Sequence, residues 1–140
     1  MGQGHTFAVG AAIAAKFLAA HTGNPTFAKE TIYAYISDGG IQEEISQGAA
    51  RIAAVLGLDN LIMFYDSNDI QLSTETADVM NENTAAKYRA LGWEVLEING
   101  NDAAEIRKAI EAAKAVTGKP TLIIGKCIMG KGALKADGTS

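Results

Sequence analysis

Cysteine, proline and aromatic residues are all scarce in this chain of 140 residues. The single cysteine, Cys127, excludes an internal disulfide framework and fits a reducing compartment, so we expect a cytoplasmic protein. A long hydrophobic run is also missing, because Lys16 interrupts the longest apolar segment, residues 7–20. That segment is too short to cross a membrane, and it lacks the basic start and the cleavage site of a signal peptide.

A concentration of positive charge is absent as well. The 12 basic residues are scattered among 16 acidic ones and leave a net charge of −4, which argues against a nucleic-acid-binding surface. The remaining composition, with 48% apolar residues and 20% charged residues, is typical of a soluble globular protein. A chain of this length forms one domain at most and is long enough to bury a core.

Helical and strand patterns alternate along the chain. Apolar and β-branched runs predict strands at 31–36, 61–65, 93–98 and 121–124. Helices are predicted at 4–21, 41–56, 85–91 and 102–116, and residues 69–84 read as a polar loop. The alternation favours an α/β fold, an open and mostly parallel sheet with helices on both faces.

The pattern of the first two helices also predicts how they pack. The first is apolar nearly all round, so we expect it to be buried on several sides. The second carries an apolar stripe that we expect to face the core, and the stripe consists of Ile45, Ile52, Val55 and Leu56.

Two of the predicted strands end in small polar residues. Asp38-Gly39-Gly40 follows the first strand, and Asn68 follows the second. The carboxyl ends of parallel strands meet at one edge of a sheet, where ligands bind. A carboxylate and an amide suit Mg²⁺ and leave charge for a diphosphate, which the glycine backbone and a helix beginning at Ile41 can approach. The residues alone leave an alternative equally open, in which Asp38 and Asn68 only cap helices or shape turns.

The sequence around these two strand ends resembles a known family. The pattern Asp-Gly-x-x-x-Glu at 38–43, followed by Asn68, resembles the thiamine-diphosphate motif. Further stretches resemble transketolases in the same order along the whole chain, and they are 2–4, 64–68, 90–95 and 129–132. The first and last of these argue against related thiamine-dependent synthases and dehydrogenase components. The resemblance implies thiamine diphosphate and Mg²⁺ (or Ca²⁺) as cofactors.

The same resemblance implies a metal site. Asp38 and the side chain of Asn68 bind magnesium in the family's pattern, together with the backbone carbonyl of Ile70, and Gly39 touches the diphosphate. No catalytic residue is implied within the chain.

Further positions are implied by the resemblance, with two departures. Leu72 and Met129 occupy positions at which the family packs apolar groups against the cofactor rings, and Glu43 matches an acid near the dimer interface and the cofactor. A solvated helix carboxylate is an equally good interpretation of Glu43. Ser37 replaces a usual Gly before the Asp, and Asp69 replaces a usual Gly after the Asn, which adds negative charge beside the diphosphate.

Other candidate groups are weaker. Residues 125–132 nearly match a nucleotide-binding phosphate loop, but Gly132 stands where a Ser or Thr should hold magnesium. His5 and His21 are expected to be structural or exposed, and Cys127 is expected to be an inert thiol.

The resemblance also implies what the chain does not contain. We expect residues 1–140 to be a single partial diphosphate-binding domain, without its flanking segments and without the pyrimidine-binding domain that supplies the catalytic glutamate. The implied parent activity is transfer of two-carbon ketol units between sugar phosphates, in the pentose phosphate pathway, by a homodimer. Alone, the chain is expected to be inactive and to bind the cofactor weakly or not at all. The alternative is a non-catalytic interaction or folding module.

Overall fold

The computed structural model describes residues 2–72 and 74–134. Within them, the helices are α1 (Gln3–Thr22), α2 (Pro25–Ala28), α3 (Asp38–Gln42), α4 (Glu44–Val55), α5 (Thr84–Leu91) and α6 (Ala103–Lys114). The strands are β1 (Ile32–Ser37), β2 (Leu61–Ser67), β3 (Ile70–Gln71), β4 (Thr74–Glu75), β5 (Glu94–Asn99) and β6 (Thr121–Lys126). A search of the described residues finds no helix with the length and apolar character that a membrane crossing needs.

Four of the strands form a parallel sheet in the order β1-β2-β6-β5. Strand β2 pairs with β1 on one side and with β6 on the other, and β5 pairs with the far side of β6. The predicted α/β class with a mostly parallel sheet is confirmed. Strands β3 and β4 form a separate antiparallel pair, and a 3-10 helix follows at Thr76–Asp78. These elements lie in the segment for which the sequence predicts a polar loop.

Alternate residues of the strands build a core on each face of the sheet. On one face, Leu61, Met63 and Tyr65 of β2 pack with residues of α1, α4 and α5. On the other face, Ile62 and Ile123 pack against alanines of α6. Helices therefore lie on both faces of the sheet, as the sequence predicts and as is typical of parallel sheets.

Helix α6 does not extend over strand β1. Tyr33 and Tyr35 project from β1 on the α6 side and are 54% and 69% exposed. Tyr35 stacks on Phe64 with ring centroids 5.4 Å apart. A cavity of about 390 Å³ lies between these aromatic rings and α6.

The prediction that the first helix is buried on several sides is wrong. The buried residues of α1 lie on one side and are His5, Ala8, Val9, Ala12 and Ala15. On the other side, Phe7 and Phe17 are 79% and 61% exposed. Helix α1 packs against β1 and α4 on one side only, so the apolar side chains on its other side are left exposed.

The predicted packing face of the second helix is also wrong. The segment forms two helices instead of one, because the chain is extended at Glu43, and the residues of the expected stripe are at least half exposed. The buried side of α4 is formed by Ala49, Ala50 and Ala53. Small side chains bring the helix close to the sheet, and this approach lets the Trp93 indole N–H donate to the Ala50 carbonyl at 2.9 Å.

His5 is buried at the start of α1, and neither of its ring nitrogens has a hydrogen-bond partner in the part of the chain that the structure describes. Its ring meets the edge of Trp93, with centroids 6.1 Å apart, and Trp93 in turn meets Tyr88. Burial lowers the pKa of His5 from 6.5 to about 4, because the protonated ring would lose its hydration without gaining a partner.

We expect His5 to make the fold sensitive to acid. Between pH 6.5 and pH 4 the unfolded chain binds more protons at this residue than the folded chain, so the free energy of unfolding falls as pH falls. The loss reaches about 3 kcal/mol below pH 4. His5→Leu should remove this part of the pH dependence in urea unfolding, whereas His21→Leu, at an exposed position, should not. Parallel pH profiles for wild type and His5→Leu would contradict the assignment.

A pair of variants tests which face of α4 is in the core. Ala53→Leu adds volume where the side chain is 0% exposed and should lower the free energy of unfolding by about 1–3 kcal/mol. Val55→Ala, at a position 85% exposed, should change it by no more than about 0.5 kcal/mol in dilute solution. Urea denaturation measures both, and the reverse order would restore the face expected from the sequence.

Candidate functional site

The structure brings Asp38 and Asn68 together at the carboxyl edge of the sheet. Asp38 follows β1 directly, and Asn68 follows the neighbouring β2, whose register places Asp66 opposite Ser37. The Asn68 backbone N–H donates to Asp38 Oδ2 at 3.1 Å, and the Tyr65 hydroxyl donates to Asp38 Oδ1 at 2.7 Å. The ends of two strands are thus tied through one carboxylate.

Asp38 is buried without a counter-charge. It is 1% exposed, and among residues 2–72 and 74–134 no basic side chain forms an ion pair with it. A buried carboxylate without a cation is costly, and two hydrogen bonds offset only part of that cost. Burial, and then the bond to Asp38, raise the pKa of Tyr65, so its hydroxyl remains a donor across the physiological range.

The segment after Asn68 is shaped by its own hydrogen bonds. Asn68 Oδ1 accepts from the Ile70 N–H at 3.1 Å, a side-chain turn that Asn forms readily. Asp69 has a left-handed backbone (φ 64°), and its carbonyl accepts from the Thr76 N–H at 2.8 Å. Gln42 and Gln71 join α3 to this segment through a side-chain hydrogen bond of 2.7 Å.

The helix at the diphosphate side begins earlier than expected. Helix α3 starts at Asp38 and not at Ile41, so Gly39 and Gly40 lie in its first turn. The backbone N–H groups of a first helical turn have no partner within the helix. A Cβ on Gly40 would lie 3.0 Å from Ile36 Cγ1, so glycine is needed for this close approach to the strand.

The remaining predicted residues differ in their burial, and Leu72 and Met129 do not line the cavity wall that contains Asp38. Glu43 is half-buried at the junction of α3 and α4, and its carbonyl accepts the Ser46 N–H. Ile70 is 39% exposed, Met129 is 55% exposed, and Leu72 is fully exposed with a left-handed backbone (φ 35°). Leu72 and Met129 therefore offer exposed apolar surface and are not packed into the core.

A cavity of about 330 Å³ lies beside Asp38, on the face of the sheet covered by α5. Its wall includes Tyr65, Ser67 and Thr76, which the sequence analysis did not identify. Thr76 is 8% exposed, and its hydroxyl has no hydrogen-bond partner in the described part of the chain. Tyr65 could have been found from its place in β2, because residues 61, 63 and 65 share the face that Asp38 closes.

The carboxylates in the wall of this cavity differ in their partners. Three of the four carboxylates pair with a basic side chain, and the pairs are Asp69 with Lys126, Glu82 with Lys87, and Glu97 with Arg89. Asp38 alone among the lining carboxylates of the described chain lacks such a pair. The negative charge that remains is therefore concentrated at Asp38.

The donors at this edge fit a hard cation better than a soft one. Among the described residues there is no group of three or more His, Cys, Asp or Glu side chains that could hold a metal ion. One carboxylate, one amide and one backbone carbonyl match Mg²⁺, which takes one or two protein carboxylates and leaves its other positions to phosphate and water.

The stretch 125–132 gives no sign of a nucleotide-binding loop. Gly125 lies inside β6, where a Cβ would collide with the ring of Phe64, and turns instead of a helix follow up to residue 134. Burial, and then Asp66, raise the pKa of Cys127 to about 11, which keeps the thiol protonated and poorly reactive.

Comparison with known proteins agrees with this architecture. The family model described as "Transketolase, thiamine diphosphate binding domain" matches residues 1–140. A transketolase of Streptococcus pyogenes is 45% identical across 100% of this chain and 20% of its own length. Transketolase 1 of Saccharomyces cerevisiae is 44% identical across 97% of this chain and 21% of its own length.

Solved structures give the same result. The crystal structure of transketolase from Campylobacter jejuni superposes with a TM-score of 0.82 at 43% identity, covering 90% of this chain and 20% of that one. Transketolase from Leishmania mexicana gives 0.84 at 38% identity, covering 90% of this chain and 19% of that one. The chain spans about a fifth of the length of the relatives that it matches. It belongs to the transketolase family and comprises sequence of that family's thiamine diphosphate-binding domain.

Proposed function

We propose that this chain binds magnesium and thiamine diphosphate from the diphosphate side, as part of an assembly that transfers two-carbon ketol units between sugar phosphates. The observation that carries the proposal is Asp38, a buried carboxylate that has no basic partner among the described residues and is hydrogen-bonded to the backbone of Asn68. A divalent cation at this position supplies the missing counter-charge. Calcium has the same preference for oxygen ligands and is the alternative ion.

Each residue of the site has a distinct role in the proposal. The Asp38 carboxylate and the Asn68 amide oxygen hold the metal ion, and the carbonyl of Ile70 completes the protein's share. Their supports are the Tyr65 hydroxyl on Asp38 and the Ile70 N–H on Asn68, which fix the orientation of both side chains. The backbone of Gly39, in the first turn of α3, lies against the diphosphate.

The organic part of the cofactor meets the exposed apolar side chains. In the proposal, Leu72 and Met129 pack against its rings, and the burial of their exposed apolar surface favours binding. Glu43 lies between α3 and α4. In the proposal it is near the dimer interface and mediates communication between this active site and that of the second subunit. Bound thiamine diphosphate supplies the carbanion chemistry, and the protein supplies position and charge.

The catalytic partner is a pyrimidine-binding domain of the same or a partner subunit, in a homodimer. Supporting this, α1 and α4 carry exposed apolar side chains that we call the α1–α4 surface, formed by Phe7, Ile13, Phe17, Leu18, Ile45, Ile52, Val55 and Leu56. Patches of this kind mark interaction sites in soluble proteins. A groove of about 390 Å³ between the two helices runs through it.

Two consequences concern the isolated chain and its setting. Without the pyrimidine-binding half, we expect the chain to be inactive and to bind the cofactor only weakly. For the assembly, we propose a role in the pentose phosphate pathway and a location in the cytoplasm. Turnover of a ketose phosphate and an aldose phosphate by the purified chain would contradict the first expectation.

Asp38→Asn tests the metal site with a change of charge and almost no change of shape. Binding of thiamine diphosphate in the presence of magnesium, measured by calorimetry at high protein concentration, should weaken at least about tenfold because the buried charge that holds the metal is removed. Asp59→Asn is the matched control, since Asp59 pairs with Lys16 away from this site. No heat from wild type, or no loss in Asp38→Asn, would favour the non-catalytic module instead.

The α1–α4 surface predicts self-association of the chain on its own. Light scattering should give a mass above 14.6 kDa that rises with protein concentration. Ile52→Asp combined with Val55→Asp should return the monomer mass, because it places charge in the surface. Val79→Asp changes an exposed apolar residue elsewhere and should leave the mass unchanged. A wild-type chain that stays monomeric at all concentrations contradicts the prediction.

A further inference from the structure

An ion pair closes the outer side of the proposed site. Lys126 is the last residue of β6 and lies opposite Ser67 in the sheet register. Its ammonium contacts Asp69 Oδ1, and both side chains are more than half exposed. Asp69 also lines the cavity that contains Asp38.

Asp69 stands in the sequence between Asn68 and Ile70, two of the three residues proposed to hold the metal. Its carboxylate therefore adds negative charge close to the diphosphate position. That charge attracts a free divalent cation, but it repels a metal–diphosphate complex, whose net charge is negative. Lys126 cancels this charge at the distance of a direct ion pair.

We infer that Lys126 is a positioning and specificity-determining residue that acts through Asp69, shifting the preference of the site from the free cation to the magnesium–diphosphate complex. This inference rests on the proposed function. Magnesium alone then binds less tightly, so it does not occupy the site in a way that excludes the diphosphate. Lys126 needs no contact with the ligand for this role, because the ligand responds to the summed charge of the Lys126–Asp69 pair, which is neutral only while both partners are present.

A purely mechanical role predicts a different outcome. If the ion pair only fastened the loop of Asn68 and Ile70, losing it would loosen the metal ligands and weaken every ligand alike. If the ion pair instead sets the net charge beside the site, losing Lys126 changes the affinities for free magnesium and for magnesium diphosphate in opposite directions. The sign of the two changes therefore separates the explanations.

The experiment compares magnesium alone with magnesium pyrophosphate as probes. Nuclear magnetic resonance titrations of the complete chain follow the amide signals of Asn68 and Ile70. In Lys126→Met, we expect magnesium to bind about two- to fivefold more tightly and magnesium pyrophosphate about two- to fivefold more weakly. Both changes should shrink in 0.5 M salt, where the Debye length falls to about 4 Å.

The companion variants complete the cycle. Asp69→Asn keeps a residue that tolerates the left-handed backbone and should shift both affinities in the opposite direction to Lys126→Met. The double variant Lys126→Met with Asp69→Asn should return both to near the wild-type values, and Lys126→Arg should keep them. Lys119→Met breaks a comparable pair with Glu94, before β6 begins, and should change neither.

The outcomes distinguish this inference from the proposed function. If Lys126→Met weakens both probes, or changes neither, the charge role is wrong while the metal site stands. If the wild-type chain binds neither probe at millimolar concentration, the proposed function fails for this chain and the inference fails with it.

Discussion

One buried carboxylate, Asp38, determines how the rest of this site is arranged. It accepts hydrogen bonds from Tyr65 inside β2 and from the backbone of Asn68 just beyond it, so the ends of β1 and β2 are fixed to each other by side-chain chemistry as well as by the sheet. The two donors offset part of the cost of burying the charge. They also fix the orientation of the Asp38 carboxylate, on which the proposed metal site depends.

The fold serves this arrangement by bringing strand ends to one edge. Parallel pairing aligns the carboxyl ends of β1, β2 and β6, where Asp38, Asn68 and Lys126 are found. Apolar side chains on α1 and α4 remain exposed. The polar residues that the proposal depends on are thus gathered at one edge of the sheet.

Much of this could be predicted from the sequence, and the exceptions have physical causes. The run before Asp66 predicted β2, and the spacing of Asp38 and Asn68 predicted their meeting, because strand periodicity and parallel pairing are local rules. The core face of α4 could not be predicted, since Ala53 and Val55 are both apolar and only the tight fit against the sheet selects the alanine. The place of Tyr65 in β2 indicates the face on which its side chain lies, but its hydrogen bond to Asp38, 27 positions away in the chain, depends on tertiary structure that the local pattern does not specify.

The strand order has a consequence for how the protein forms. Strand β6 is the last strand of the described residues, yet it lies in the interior of the four-stranded sheet, between β2 and β5. Until residues 121–126 are in place, β2 and β5 each present an unpaired edge, and their pairing must close loops of high contact order. During synthesis, these edges are open templates for strands of other chains. Products that end before residue 121 should therefore aggregate far more readily than a chain that includes β6.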